Sequence, residues 1–253
     1  MNSTLIKGVS VLEHLLQAGE AMPLGELARR TGLQPSNVHR TLQTWIHLGF
    51  VKQDPITGFY QCTYRLFEWG SRVADKFDLR NLARPHLVKL AQQTQETIHL
   101  SVLDDLEVIY LDKLDSPQPV RAYSQLGGRA PAHCVATGKA MLAFCAPETL
   151  DALPSKLERH SPNSIVSKTD LLHQLTVIKQ KGYAINNEEW RAGVSGLGSA
   201  VMGRHGLAVA AVGLSAPTQR LPNQKQITFA RLLTETAQAI SRQISGTGPG
   251  SFL

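Results

Sequence analysis

The side chains best spaced to do chemistry lie between Pro35 and His47. At about 100° per residue, a helix over this stretch gathers Val38, Leu42 and Trp45 on one side, with Ile46 at its edge. The other side carries Ser36, Arg40, Gln43 and His47, flanked by Asn37 and Thr44. Hydrogen-bonding groups of this reach suit base edges and phosphates in a DNA major groove. The same pattern also describes the solvated face of a small helical bundle, so the surrounding elements have to decide.

Catalytic signals are weaker. Gly193-Val194-Ser195-Gly196-Leu197 approaches a nucleophile elbow, but Leu197 stands where the last glycine is required. Gly196-Leu197-Gly198 lacks the third glycine of a dinucleotide-binding turn. The nine histidines are scattered, without an HExxH, a Walker loop or a zinc-ligand spacing. This predicts no metal, no cofactor and no catalytic residue.

The elements that must position the polar face follow from periodicity. Residues 5–18 set Leu5, Val9, Leu12 and Leu16 on one helical face, and Gly19 and Pro23 mark a break. A short helix at about 24–31 stops at Gly32, and Pro35 opens the next one. From Phe50 the period changes to two short strands around Asp54-Pro55-Ile56-Thr57-Gly58, a hairpin signal. A helix, then helix–tight turn–helix, then a hairpin is the order of a winged helix-turn-helix, which favours the groove reading.

Residues 64–80 read as a helix weakened by Gly70 and as the inter-domain linker. A helix at 81–96, restricted by Pro85, turns Leu82, Leu87, Leu90 and Ala91 inward. Strands carrying Ile98, Leu100 and Val102, then Val108 and Tyr110, pair around Asp104-Asp105. Residues 119–128 are another strand candidate, and 134–146, 168–181 and 222–244 read as helices. Further strands fall at 183–185, 198–201 and 206–214. Strands interleaved with helices indicate an α+β or α/β sensor-like domain. The tail, 247–253, is expected to be flexible.

With 253 residues, 42% of them hydrophobic and 18% charged, the chain can bury one large core or two ordinary ones and is not disordered. No window approaches about 18 uninterrupted apolar residues, which argues against a membrane span. The first residues lack the pattern of a secretory signal. Three cysteines without CxxC spacing fit a reducing cytoplasm. The net charge of +6 leans to the N-terminal third, where residues 1–89 hold 11 Lys and Arg against 7 Asp and Glu. This is a mild pointer to a polyanionic partner.

Four stretches then carry a resemblance. They are Pro35 to Val51 with Tyr64-Arg65-Leu66 after the wing; Gly127-Gly128-Arg129-Ala130-Pro131-Ala132-His133 running into Ala136-Thr137-Gly138-Lys139-Ala140; Gly182 to Glu189 followed by Gly193-Val194; and Ala210 to Pro217. In this order and at these intervals they resemble the IclR family of bacterial transcriptional regulators nearly end to end. The resemblance implies a winged helix-turn-helix at 1–63, a linker helix at 64–80 and a GAF-like, α+β effector-binding and oligomerisation domain at 81–246. It implies a homodimer or homotetramer on a near-palindromic operator in double-stranded DNA, acting as repressor or activator of a catabolic operon. A single wing and recognition helix touch few base pairs, so specificity needs two or more copies on spaced half-sites.

The groove contacts expected are Ser36, Asn37, Arg40, Gln43 and Thr44, with Lys52, Thr57 and Tyr60 of the wing near phosphates. By position in the family, the effector pocket falls on Ala136, Thr137, Asn186, Ser195, Gly196, Gly213 and Ser215. Free amides at the helix start around Val135–Gly138 would face a carboxylate. Glyoxylate- and pyruvate-sensing members have Asp, Cys and Ser where this chain has Asn186, Gly196 and Gly213. Loss of these side chains predicts a roomier pocket and a larger organic acid, aromatic or sugar-derived.

Arg191, beside Trp190, either pairs a ligand carboxylate or lies on the surface beside Glu188-Glu189. Arg121 and Arg129 fit interface salt bridges as well as ligand contacts, and His99 reads as structural. Lys139 holds a family position without evident chemistry, and Cys134 and Cys145 read as core fillers. The alternatives of a different class are a small-molecule-binding protein with residual catalysis and a partner-binding scaffold that keeps a winged helix.

Overall fold

The computed structural model describes residues 1–75, 79–122, 124–203 and 205–246, and the chain divides into two compact units, residues 1–77 and 78–253. The first unit opens with α1 (Ser3–Ala18), capped by the Asn2 side-chain oxygen Oδ1, which accepts from the amides of Thr4 and Leu5. Gly19 ends it in the left-handed region. α2 (Leu24–Thr31) and α3 (Pro35–His47) follow, then a hairpin of β1 (Val51–Gln53) and β2 (Tyr60–Cys62), then α4 (Arg65–Asp75). Their core is Val11, Leu12, Leu15, Leu27, Val38, Leu42, Phe50 and Tyr60. Full burial of each such side chain is worth about 1.5–3 kcal/mol.

The face that α1 buries is not the one the sequence spacing selects. Gly8, Val11, Leu12 and Leu15 pack inward, while Leu5, Val9 and Leu16 stay 61, 42 and 49% exposed. The helix is apolar on two faces, and the docking of Trp45 chooses between them: its indole N–H donates to the Gly8 carbonyl at 2.9 Å.

The second unit begins with α5 (Leu79–Thr94) and continues through β3 (Thr97–Asp104), β4 (Glu107–Leu114), β5 (Arg129–Pro131), α6 (Ala136–Leu142), α7 (Pro147–Asp151), α8 (Lys168–Lys181), β6 (Ala184–Asn187), β7 (Val194–Met202), β8 (Ala208–Pro217) and α9 (Asn223–Gly246). Six antiparallel strands run in the order β5-β4-β3-β8-β7-β6. Strand alternation splits the packing. Ile98, Leu100, Leu197, Val212 and Leu214 meet α5 and α9 on one face, whereas Val108, Ala200 and Ala211 meet α6 and α8 on the other.

Two expectations change here. Residues 119–128 form a loop rather than a strand, apart from Tyr123, which lies outside the described residues. α5 begins at Leu79 and carries Pro85 inside it, because Asn81 and Pro85 are exposed and water can replace the missing N–H. The expected linker helix is described as α4, with residues 76–78 outside the described part, as is the tail 247–253.

Candidate DNA-binding and effector sites

α3 presents the polar side read from its spacing. Ser36, Arg40, Gln43 and Thr44 are exposed and Asn37 is half-buried, while Val38 and Leu42 are fully buried beneath them. The helix interior fixes their direction, so the polar face is rigidly held. Among the described residues neither Arg40 nor Lys52 makes an ion pair, which leaves both cations free for an anionic partner. The wing turn is built by Asp54, whose carboxylate accepts from the amides of Ile56 and Thr57 and from the Thr57 hydroxyl. Those bonds pull its pKa below the usual carboxylate range. Gly58 completes the turn at φ 71°.

Tyr60 does not belong to this surface. It is 2% exposed and packs in the core of the first unit, while its backbone pairs with Met22. Alternation along β2 turns it inward, so it cannot reach a phosphate. Lys52 and Thr57 remain exposed on the wing.

The second site is a cavity of about 510 Å³ on the α6 side of the sheet. Ala136, Thr137, Asn186, Arg191, Gly196, Gly213 and Ser215 all line it, brought from four separate segments. His99, Tyr110, Ser124 and Trp190 complete the wall. Ser195 does not. It is adjacent to Gly196 in a strand and therefore faces the opposite side, where its hydroxyl meets that of Thr218 at 3.0 Å.

Gly196 and Gly213 do not hollow out the cavity as expected. A Cβ on Gly213 would land on the Thr137 methyl, and one on Gly196 would stand 2.7 Å from the Leu214 carbonyl oxygen. A Cβ on Gly198 would meet the backbone of Ala136 and Thr137 at 2.5–2.7 Å. Gly198 and Gly213 let α6 lie directly on β7 and β8, so helix replaces their absent side chains, whereas at Gly196 the backbone of β8 takes up the space. The rest of the lining comes from loop residues Ala122, Ser124, Gln125 and Gly128 and from the turn at Trp190–Ala192.

α6 has only seven residues and no side-chain cap, so its start supplies free amides and little more. Positive charge comes from arginines. Arg129 is matched by Asp104 and Glu107, and Arg121 lies 3.5 Å from Asp115. Arg191 lies over the Trp190 ring and is, among the described residues, the arginine of this wall without a carboxylate partner.

Behind the wall, next to the lining residue Trp190, lies a buried pair that spacing alone did not reveal. Lys139, wholly buried, donates to both Glu189 oxygens at 2.5 and 2.7 Å and to Gln174 at 3.1 Å. Burial pushes the lysine's pKa down and the glutamate's up, and their contact opposes both shifts. Glu189 is anchored in turn by its backbone amide, which donates to the Asn186 side-chain oxygen Oδ1 at 2.8 Å. A lone lysine in the apolar run Ala136–Leu142 was the available signal, but fifty residues separate it from its partner. His99, 3% exposed beside Tyr110 at 4.9 Å, has its pKa lowered to about 4, first by burial and then by the Lys113 charge.

The fold also assembles residues that sequence spacing kept apart. His133, Cys134 and His160 bring one ligand atom each to within 4.8 Å of one another. The hydroxyl of Ser161 and that of Ser164 tie the His160 loop to the carbonyl of Glu189 at 3.0 and 2.7 Å.

A helix-turn-helix with a free cationic recognition face, followed by a separate α+β unit that encloses a cavity, is the build of a DNA-binding transcriptional regulator. The IclR helix-turn-helix domain matches residues 4–55, and the domain described as bacterial transcriptional regulator IclR C-terminal matches residues 71–242. The chain belongs to the IclR family. It is 34% identical over 246 residues to the HTH-type transcriptional regulator KdgR of Dickeya chrysanthemi, covering 96% of this chain and 80% of that protein. KdgR of Escherichia coli K12 is 32% identical over 96% of this chain and 92% of its own length. The Thermotoga maritima IclR structure superposes with a TM-score of 0.81 at 29% identity, covering 96% and 99% of the two chains. An IclR homologue from Microbacterium hydrocarbonoxydans complexed with 4-hydroxybenzoate gives 0.82 at 25% identity, covering 97% and 100%. No helix among the described residues is long and apolar enough to cross a membrane.

Proposed function

We propose that this regulator senses an organic acid larger than glyoxylate or pyruvate, aromatic or sugar-derived, and adjusts the transcription of a catabolic operon in the cytoplasm. The cavity carries the reading: about 510 Å³ lies in the range of small-molecule sites and far exceeds what a two- or three-carbon oxoacid fills. Arg191 is positioned to pair the carboxylate, and the Asn186 amide nitrogen and the Ser215 hydroxyl to bond the rest of the ligand. His99, Tyr110 and Trp190 offer ring faces and edges. The 4-hydroxybenzoate held by the Microbacterium homologue is an acid of this size.

On DNA, Ser36, Asn37, Arg40, Gln43 and Thr44 enter the major groove, and Lys52 and Thr57 approach phosphates. Two or more copies bind a near-palindromic operator as a homodimer or homotetramer. The apolar stripe of Leu5, Val9 and Leu16 on α1, with Phe67 and Trp69 exposed on α4, supports pairing of first units. The GAF-like reading of the second unit rests on its central antiparallel sheet flanked by α5 and α9 on one face and α6 and α8 on the other. Ligand control operates by population shift, the acid favouring one spacing of the DNA-binding units over another.

The test is selection of bound fragments from genomic DNA at two salt concentrations, with and without a panel of acids. A palindromic motif whose affinity falls steeply with salt, and which responds to a bulky acid but not to glyoxylate, is expected. A strong glyoxylate response, or no enriched motif, refutes the reading.

A further inference from the structure

We propose that His133, Cys134 and His160 form a binding site for one thiophilic divalent cation of the zinc class, with the Glu158 carboxylate as its fourth ligand. The site lies outside the effector cavity, against a smaller one of about 210 Å³ lined by His133, Glu158 and His160. Its donors are imidazole nitrogen and thiolate sulfur, the ligands zinc prefers. Their atoms stand within 4.8 Å of one another. In a tetrahedral zinc site such atoms are about 3.5 Å apart, so closure asks for roughly 1 Å of side-chain movement.

The hydrogen bonds prepare the ring nitrogens. His133 Nε2 lies 3.0 Å from the Glu158 carbonyl oxygen and donates to it. That bond fixes the tautomer and leaves Nδ1 with its lone pair, the arrangement usual for a metal-ligating histidine. His160 Nε2 is buried and, among the described residues, has no hydrogen-bond partner, a costly state for a core nitrogen and one that a cation relieves. The Glu158 carboxylate lies 3.8 Å from that same nitrogen and is otherwise largely in solvent, free to turn inward.

Cys134 is wholly buried, and burial raises its thiol pKa to about 11 in the metal-free protein. A bound dication reverses that preference: the S–H bond breaks, the sulfur–metal bond forms, and one proton leaves to solvent. The neighbouring Lys139 does not repel the ion with a bare charge, since Glu189 pairs it. The site also touches sensing, because His160 packs edge-on against Trp190 at 4.7 Å and Trp190 lines the effector cavity. An ion there would pin the His160 loop to the segment just before α6 and hold that wall in place.

The test uses the full chain, stripped with a chelator and titrated with Zn²⁺, then with Co²⁺, in weak buffer. One equivalent should bind with submicromolar Kd and release one proton, and Co²⁺ should give a thiolate charge-transfer band with intense tetrahedral visible bands. Cys134→Ser should abolish that band and the proton, and His160→Gln should weaken binding roughly 100-fold with an unchanged circular dichroism spectrum. Cys62→Ser should change nothing. A wild-type Co²⁺ spectrum without the thiolate band, or affinity indifferent to both Cys134→Ser and His160→Gln, overturns the proposal whatever the variants do to folding.

Discussion

The two units hold their functional side chains in opposite ways. In the first, the recognition face belongs to one helix, its members follow each other within nine positions, and their exposure keeps them out of the core. In the second, the cavity wall is gathered from β3, β4, the start of α6, β6, β7 and β8, and its members also carry the packing. Glycine serves as spacer in one wall, a buried lysine as its anchor. The proposed DNA-reading surface can therefore change without disturbing the fold, whereas the proposed sensing site and the fold are the same set of contacts.

The largest effect that separates the two is expected at Lys139. Lys139→Met should cost about 3–5 kcal/mol of stability, because Glu189 would be left buried without its cation. Chemical denaturation measures this, and adding Glu189→Leu should recover part of the loss. A single variant as stable as the parent would mean that the pair does not hold α6 to the segment before Trp190.

Next comes acid sensitivity. His99 takes a proton at about 4 in the folded chain but near 6.5 when unfolded, so the unfolded state binds more protons between those values. Stability should fall as pH drops through that window, by about 3 kcal/mol from this residue alone. Lys113 and Asp115 act on the same ring in opposite directions, so salt should alter the slope only modestly. His99→Gln should flatten the pH dependence measured by thermal unfolding.

Overpacking should come third. Gly213→Val drives side-chain atoms into Thr137 and should destabilise by about 1–3 kcal/mol while also weakening acid binding, a joint loss seen by calorimetry. At the small end for stability, Arg40→Ala should leave the melting temperature within a degree or so, as surface changes do. It should nevertheless cost about 1–3 kcal/mol in operator affinity and relax sequence preference. A large melting shift in this variant would erase the contrast between the units.

The same contrast explains what the sequence made legible. The faces of α3 and the wing turn depend on local period and on Asp54 and Gly58, so they could be read directly. α1 shows the limit, since two apolar faces leave the periodic signal ambiguous until Trp45 docks. Tyr60 and Ser195 were misplaced for one reason: in a strand, a shift of one residue reverses the side, and membership of a motif does not specify parity. Gly213 and Gly196 read as vacant space because sequence does not show how closely a helix or a neighbouring strand approaches a glycine. Lys139 with Glu189, and His133 and Cys134 with His160, are long-range meetings, and no spacing rule pairs residues that only the closed fold brings together.

In the proposed regulator one chain couples a cavity-bound acid to an operator-bound helix. The most direct measurement is operator affinity of the full chain against increasing concentration of a bulky acid, for the parent and for Thr137→Val. The parent's affinity should shift by roughly 5–150-fold at saturation, and the variant, altered only where α6 meets the cavity, should shift far less. Tight operator binding that no acid changes, in parent and variant alike, would contradict the account.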